Sequence, residues 1–350
     1  MYEARSSYVR TRRAAPLSCL LMLFALASAP ASLLPCLTIH IIPKMPGGSA
    51  RATMTSVRKR RCTLYDMKHS NNAARIRLWL RLNKDALDVA ASSEDVVVET
   101  KWLSHDDIES DSYASINPLK KVPALMVQVA GDQSEPLHLF EASVILNYLE
   151  DVLPASVLKM TDANSTPESR ALVSLVARCH DLYIASPNCT EPNFSHTQGC
   201  MYLDPIPTAF TPARRTMDIK TRAAKVAEIY KQLCWLESNG KFGPYLVGDR
   251  LTHADLTWFP TTVFMELLLP LVFDWTPIFV AGDNEEEYVT TAKEFSRLGE
   301  WFQTCLSNPC FVETRKEIRD ALLGQKAKGR FAAVRDDVEA HRGEYKWKYV

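Results

Sequence analysis

The stretch that most constrains what this chain can fold into runs from Asn117 to Leu149. It reads Asn-Pro-Leu-Lys-Lys-Val-Pro-Ala-Leu over 117–125, then a polar turn, then Leu-Phe-Glu-Ala-Ser-Val-Ile-Leu-Asn-Tyr-Leu over 139–149. Ala124 to Val129 and Leu137 to Phe140 have the length and apolar content of two strands, joined around Gly131-Asp132. Pro136 sits where a strand begins, a position that tolerates it. Glu141 to Glu150 then has helical spacing, with Val144, Ile145, Tyr148 and Leu149 turned inward. A loop ending in Val122-Pro123, a hairpin and a helix opening at an acid put free backbone groups, a helix N-terminus and a carboxylate around one pocket. Such a pocket suits a ligand with both a peptide backbone and a carboxylate.

The 350 residues, 47% hydrophobic and 23% charged, are enough for two domains with cores of their own. The formal charge is zero but uneven. Residues 1–61 hold ten of the 41 basic residues and one of the 41 acidic ones, Glu3, which leaves 31 basic against 40 acidic in the rest. An acidic body argues against nucleic acid as the main partner. Residues 1–61 read as a leader. Arg5, Arg10, Arg12 and Arg13 precede the apolar run Leu17 to Ala29, a signal-like segment too short for a membrane span. Pro30 to Arg61 then lacks acids and is rich in Ser and Thr, as transit sequences are. Three readings stay open: two-step import into a plastid, a single-step organelle presequence, or translation from Met54 and a cytoplasmic protein. No later stretch reads as membrane-spanning, so the mature chain is expected not to insert.

Residues 62–154 form the first expected domain. Thr63 to Asp66 is a short strand, and Met67 to Asn72 a polar loop. Ala73 to Asn83 is a helix with Arg75, Arg77 and Arg81 outward, and Val96-Val97-Val98 is a buried strand. His105 to Ile116 is acidic and irregular. The order is β-α-β-α-β-β-α, a thioredoxin-like plan. Residues 155–166 are a linker by composition. Residues 167–324 carry helical patterns and no strand pattern, so the fold class is α+β with an all-α C-terminal domain. Glu168 to Ala185 is helical with Leu172, Leu175, Val176, Cys179 and Leu182 or Tyr183 at core spacing. Asn188 to Pro212 is a long proline-rich loop, placed to fold over the substrate side of a cleft, and Ala213 to Ser238 is a long helix. Thr252 followed by Asp255 reads as an acidic capping box, stapled by Leu251. Residues 325–350 are charged, either a helix laid on the body or a loose tail. The nine cysteines show no CxxC and no metal spacing, and read as free thiols; a Cys189–Cys200 bridge is the alternative.

Two segments, Val-Pro…Phe-Glu-Ala-Ser from Val122 to Ser143 and Gly-Asp-x-Leu-Thr-x-Ala-Asp from Gly248 to Asp255, resemble the soluble glutathione transferases in order and spacing. The resemblance covers about Cys62 to Leu323. It implies a glutathione site in the first domain, a small hydrophobic electrophile in the cleft between domains, no metal, and a homodimer through the first domain's last helix and the second domain's first. It implies a transferase of the detoxification type, with isomerase activity as a variant of the same chemistry. By resemblance Pro123 is cis and the Val122 backbone pairs with the cysteinyl part of glutathione; a trans proline opening a strand is the alternative. Lys121 meets the glycine carboxylate, with Lys120 as its rival. The helix start at Glu141, Ala142 and Ser143 holds the γ-glutamyl group. The family reads Glu-Ser there and this chain reads Glu141-Ala142, so one hydroxyl contact is missing unless Ser143 replaces it. Glu141 as a plain helix cap is the alternative.

The loop Lys68-His69-Ser70-Asn71-Asn72-Ala73-Ala74-Arg75-Ile76-Arg77 resembles the zeta, phi and delta types, which makes Ser70 the expected catalytic donor to the glutathione sulfur. A helix N-cap is the other reading of Ser70, and Asn71 offers a similar amide donor. No cysteine lies between Lys68 and Arg75, which argues against the thiol-dependent reductase types. A transferase-like protein that binds ligands or a partner without catalysis is the competing reading, motivated by Ala142.

Overall fold

The structure, a computed structural model, describes residues 59–153, 166–185, 197–201, 217–281 and 292–349. The leader before residue 59, nearly all of the expected linker, most of the 188–212 loop and Cys189 lie outside the described residues.

The first domain runs β1 (Arg60–Asp66), α1 (Asn71–Leu82), α2 (Lys84–Ser92), β2 (Val96–Trp102), α3 (His105–Glu109), α4 (Asp111–Ala114), β3 (Ala124–Val129), β4 (Leu137–Phe140) and α5 (Ala142–Val152). The sheet order is β2-β1-β3-β4, with β1 parallel to β2 and antiparallel to β3, and β3 antiparallel to β4. Cys62 and Leu64 on β1 alternate with half-buried Thr63. They share a core with Leu125 and Val127 of β3, Trp79 of α1 and Ile145 of α5. This is the expected thioredoxin-like plan with α2 added. α2 escaped notice because its nine residues contain one buried side chain, Ala90, and so carry little periodicity. The irregular 105–116 region resolves into α3 and α4, capped by the Ser104 and Ser110 hydroxyls.

The arginines of α1 do not point outward. Arg75 is 3% exposed and Arg77 6%. Arg77 grips both oxygens of Asp66 at 2.6 Å and reaches Glu317, Arg81 also binds Glu317 at 2.8 Å, and Arg75 binds Asp181 at 2.6 Å. The cations of α1 are thus partnered by Asp66 of its own sheet and by Asp181 and Glu317 of the second domain.

That domain contains α6 (Pro167–Cys179), which runs on into a π-helical turn at His180–Ile184. A 3-10 turn (Thr197–Met201), α7 (Ile219–Asn239), α8 (His253–Phe273), α9 (Ser296–Leu306), α10 (Pro309–Ala327) and α11 (Ala332–Ala340) follow. A two-residue parallel pair, β5 (Lys241–Phe242) and β6 (Val247–Gly248), is its one departure from all-α among the described residues. Of the residues at core spacing, Val176 is buried and Leu172 packs against the core, while Leu175, Leu182 and Tyr183 are exposed and Val173 is buried in addition.

α8 is apolar all round because it lies at the centre of this domain. It is also long and apolar enough to cross a membrane by length and composition, which the sequence reading passed over; 78% of its apolar window is buried inside the protein. Two groups fix it. Thr252 and Asp255 form the expected capping box. The Asp255 carboxylate is fully buried and accepts from the Leu246 and Thr252 amides, the Thr252 hydroxyl and the Trp301 indole, all at 2.8–2.9 Å. Beside it, His253 Nε2 meets Glu150 Oε1 at 2.8 Å, tying α8 to α5 across the domains. In the C-terminal segment, α11 lies against α8, and the Trp347 ring stacks 6.1 Å from Phe273 while its carbonyl accepts from the Trp275 indole at 2.7 Å. The tail is therefore a helix and aromatic strap laid on the body. Cys62, Cys179, Cys200, Cys234, Cys305 and Cys310 are free thiols. Burial pushes Cys62 up to about 11 and Cys200 to about 12.

Thr252→Ala should lower the melting temperature by about 2–4 °C, the cost of one lost N-cap in a body of this size. Asp255→Ala strands the Trp301 indole and two amides without an acceptor, and should lower it by at least about twice as much. Thermal melts showing equal losses for the two variants would contradict this account of the α8 start.

Candidate functional site

The register of the sheet decides where chemistry can gather. Asp66 at the end of β1 lies opposite Trp102 at the end of β2, Tyr65 opposite Ala124 at the start of β3, and Ala124 opposite Phe140 at the end of β4. The segments that leave these residues, 67–70, 103–104, 121–123 and Glu141, therefore emerge side by side at one end of the sheet. Ser70, Val122-Pro123 and the start of α5 are brought together by strand pairing alone.

The middle segment is held open for pairing. Val122-Pro123 is a cis peptide. The β3 ladder stops at Ala124, so the Val122 backbone takes no part in it. Its approach is fixed by residues the sequence reading missed. The Lys121 carbonyl accepts from the Tyr113 hydroxyl at 2.6 Å and from the Asn117 amide at 2.7 Å, while Asn117 Oδ1 accepts from the Leu119 amide. A buried tyrosine in the acidic 105–116 segment was the available signal. Lys121 points its side chain outward and is exposed. Lys120 has a positive φ of 51° and spends its ammonium on the Glu109 carbonyl at 2.6 Å. Of the two rival lysines, Lys120 is thus bound into the protein.

The start of α5 presents backbone amides ahead of its hydrogen-bond ladder. Glu141 occupies the N-cap with φ 72°, a left-handed conformation unusual for a residue with a side chain, and its carboxylate makes no capping bond. Plain capping therefore does not explain Glu141. The first helical bond is Ile145 N–H to the Glu141 carbonyl, which leaves the amides of Ala142, Ser143 and Val144 ahead of the ladder. Ala142 is buried, and Ser143 is half-buried.

Ser70 is the N-cap of α1, and its Oγ accepts from the Ala73 amide at 3.2 Å. The capping reading is correct, and it leaves the hydroxyl hydrogen to donate. Asn71 is used elsewhere: its amide donates to Thr261 Oγ1 on α8 at 2.7 Å. His69, next to Ser70, lies with its ring 5.2 Å from that of His105 and tilted 39° to it. Burial, together with His105 and Arg77, pushes the His69 imidazole down to about 4, and burial lowers His105 as well. Both rings are neutral near pH 7. Lys68 and Arg77 flank the exposed Trp102 ring at 5.7 and 5.6 Å. Among the described residues, no group of three or more His, Cys, Asp or Glu stands together as a metal site.

This arrangement, a strand edge preceded by a cis proline, an uncapped helix start with a free acid, and a hydroxyl at a neighbouring helix start, can be set against known proteins. The family model of the glutathione S-transferase N-terminal domain matches residues 61–151, and that of the C-terminal domain matches residues 220–304. Maleylacetoacetate isomerase maiA of Aspergillus fumigatus is 31% identical over 111 residues, 32% of this chain and 43% of that protein. A glutathione S-transferase of Pseudomonas putida is 29% identical over 143 residues, 40% of this chain and 52% of that protein. The chain thus spans about half the length of the curated relatives it matches. The crystal structure of glutathione transferase Omega 1C from Trametes versicolor is similar in fold, with a TM-score of 0.50 and 20% identity over 79% of this chain and 98% of that one. With both domains of one family matched in sequence order, on the two bodies whose junction holds α1, this chain belongs to the glutathione S-transferase superfamily.

Proposed function

We propose that this protein binds glutathione and uses its thiolate to conjugate or isomerise a small hydrophobic electrophile, with Ser70 as the donor to the sulfur. The observation that carries this reading is the shared end of the sheet. Strand register brings the unladdered Val122 backbone, the uncapped start of α5 and the Ser70 hydroxyl together. The parts fit the ligand's chemistry. The amides of Ala142, Ser143 and Val144 suit the γ-glutamyl carboxylate, and the unengaged Glu141 carboxylate suits its ammonium. Val122 offers a peptide edge to the cysteinyl unit, and Lys121 a cation for the glycine carboxylate. A free thiol of pKa about 8.5 is only a few per cent ionised at pH 7. A hydrogen bond donated by Ser70 favours the charged sulfur and raises that fraction.

The named relatives, an isomerase and a transferase, support this class of chemistry. A glutathione-dependent reductase is disfavoured because no cysteine stands between Lys68 and Arg75. The second reading, a ligand-binding protein without catalysis, is favoured only by Ala142, where a hydroxyl contact is absent. A homodimer is part of the proposal, supported by exposed Val144 on α5 (45%) and Leu175 on α6 (49%). So is import into an organelle through residues 1–61, which a fluorescent fusion retained in the cytoplasm would rule out.

Ser70→Ala should raise the pKa of the bound thiol by about one to two units and lower kcat/KM at pH 7 by roughly 10- to 100-fold. Activity should rise with pH through that pKa, so the variant's profile moves to higher pH. Unchanged profiles would remove Ser70 from the chemistry, and no glutathione uptake at all would favour the second reading. Ala142→Ser should tighten glutathione binding by roughly two- to tenfold, the worth of one added hydrogen bond. Calorimetric titration reads this directly, and weaker binding by the variant would count against the placement of the γ-glutamyl group.

A further inference from the structure

Six side chains between the domains close a ring of hydrogen bonds that begins and ends beside Ser70. Asn71 Nδ2 donates to Thr261 Oγ1 at 2.7 Å, and Thr261 Oγ1 lies 2.8 Å from His180 Nε2. His180 Nδ1 lies 3.1 Å from Asp181 Oδ1, which accepts from Arg75 NH2 at 2.6 Å. The same Arg75 nitrogen donates to Asn72 Oδ1 at 2.6 Å, and Asn72 follows Asn71 in the chain. Arg75 NH1 adds a 3.3 Å bond to Thr257, one turn before Thr261 on α8.

The direction of each bond follows from the groups. Burial lowers the basicity of the fully buried His180, so the ring is neutral. Burial opposes the Asp181 charge, but Arg75 and His180 hold its carboxyl below the usual range. A neutral imidazole facing a carboxylate must carry its hydrogen on Nδ1. His180 Nε2 is then an acceptor and takes the Thr261 hydroxyl hydrogen, while the Thr261 oxygen takes the Asn71 amide hydrogen. Every link has one donor and one acceptor. Arg75 has room for this at the expense of its Nε, a buried atom with no partner. The π-helical turn at His180–Ile184 inserts its extra residue where α6 must aim both His180 and Asp181 at α1 and α8.

We propose that this ring is a positioning device through which the second domain holds Ser70 in place. Asn71 and Asn72 are the first two residues of α1, and Ser70 is its cap. Fixing Asn71 against Thr261 of α8, and Asn72 through Arg75 to Asp181, fixes the turn that carries the Ser70 hydroxyl. Thr261, His180, Asp181 and Arg75 are positioning residues and do not themselves touch substrate. The catalytic part of this proposal rests on the glutathione reading above; the positioning part does not.

The test uses the full chain, with Thr261→Val and Asn72→Ala cutting the ring on opposite sides and Thr261→Ser restoring the shared oxygen. Without ligand, hydrogen exchange of the Ala73 and Ala74 amides should speed up about tenfold in each cut variant, with α9 amides unchanged. With glutathione, the thiol pKa should rise toward the Ser70→Ala value while the dissociation constant changes less than about threefold. The Val–Ala double variant should do little more than either single one, because one ring is broken only once. Thr261→Ser should return both readouts to wild type. Exchange that quickens equally in α9, or a Thr261→Ser variant that behaves like Thr261→Val, would overturn the proposal. Should no variant or wild-type protein take up glutathione, the glutathione reading falls, and the exchange result alone decides the ring.

Discussion

A guanidinium cannot be left unpaired in a protein interior, and this fold turns on where α1 finds partners for three of them. Arg77 and Arg81 leave α1 on one side, and Arg75, about 200° around the helix from Arg77, leaves on another. Their acids come from separate elements: Asp66 from β1, Asp181 from the end of α6, and Glu317 from α10. α1 is thereby tied to its own sheet through Arg77 and Asp66, and to the second domain through Arg75 with Asp181 and through Arg77 and Arg81 with Glu317. The buried Glu150–His253 contact repeats the arrangement on α5. Removing one partner from such a pair leaves a buried charge, which is more damaging than losing the pair whole. The domains are held in register by that penalty, and the site lies at the N-terminal end of the helix that bears it.

The site itself is built mostly from backbone. Strand ends, the Val122 edge and the α5 amides depend on register and on φ/ψ, and any sequence that keeps the fold keeps them. Ala142 contributes there through its backbone amide, which its side chain does not alter. Side chains enter where the backbone cannot act. Tyr113 and Asn117 clamp the Lys121 carbonyl, Glu141 offers the one unengaged acid at the α5 start, and Ser70 offers a hydroxyl hydrogen. Neutral His69 and His105 line the neighbouring wall without adding charge.

Local features were legible in the sequence and distant ones were not. The hairpin from Ala124 to Phe140, the α5 start, the Val122-Pro123 step and the Thr252–Asp255 box are each written in one short run of chain, the range over which turn and cap chemistry acts. The α1 arginines were read as solvated because periodicity identifies a polar face but not what covers it. The same gap hid α8: an all-apolar 21-residue helix looks alike in a lipid bilayer and in a protein core. On α6, spacing places Val176 in the core correctly but also Leu175, Leu182 and Tyr183, which are exposed, and it omits the buried Val173. On sequence Asn71 stands as an alternative donor beside the preferred Ser70; in the structure Thr261, 190 residues away, takes the Asn71 amide.

The central claim is that the shared end of the sheet is a glutathione site. Amide chemical shifts during titration of the protein with glutathione test it most directly. The account predicts that the largest saturable shifts fall on Val122 and on Ala142, Ser143 and Val144, with Asn71 to Ala74 at the Ser70 cap following. Saturable shifts confined to α7, α9 or α10, with these amides unmoved, would contradict it.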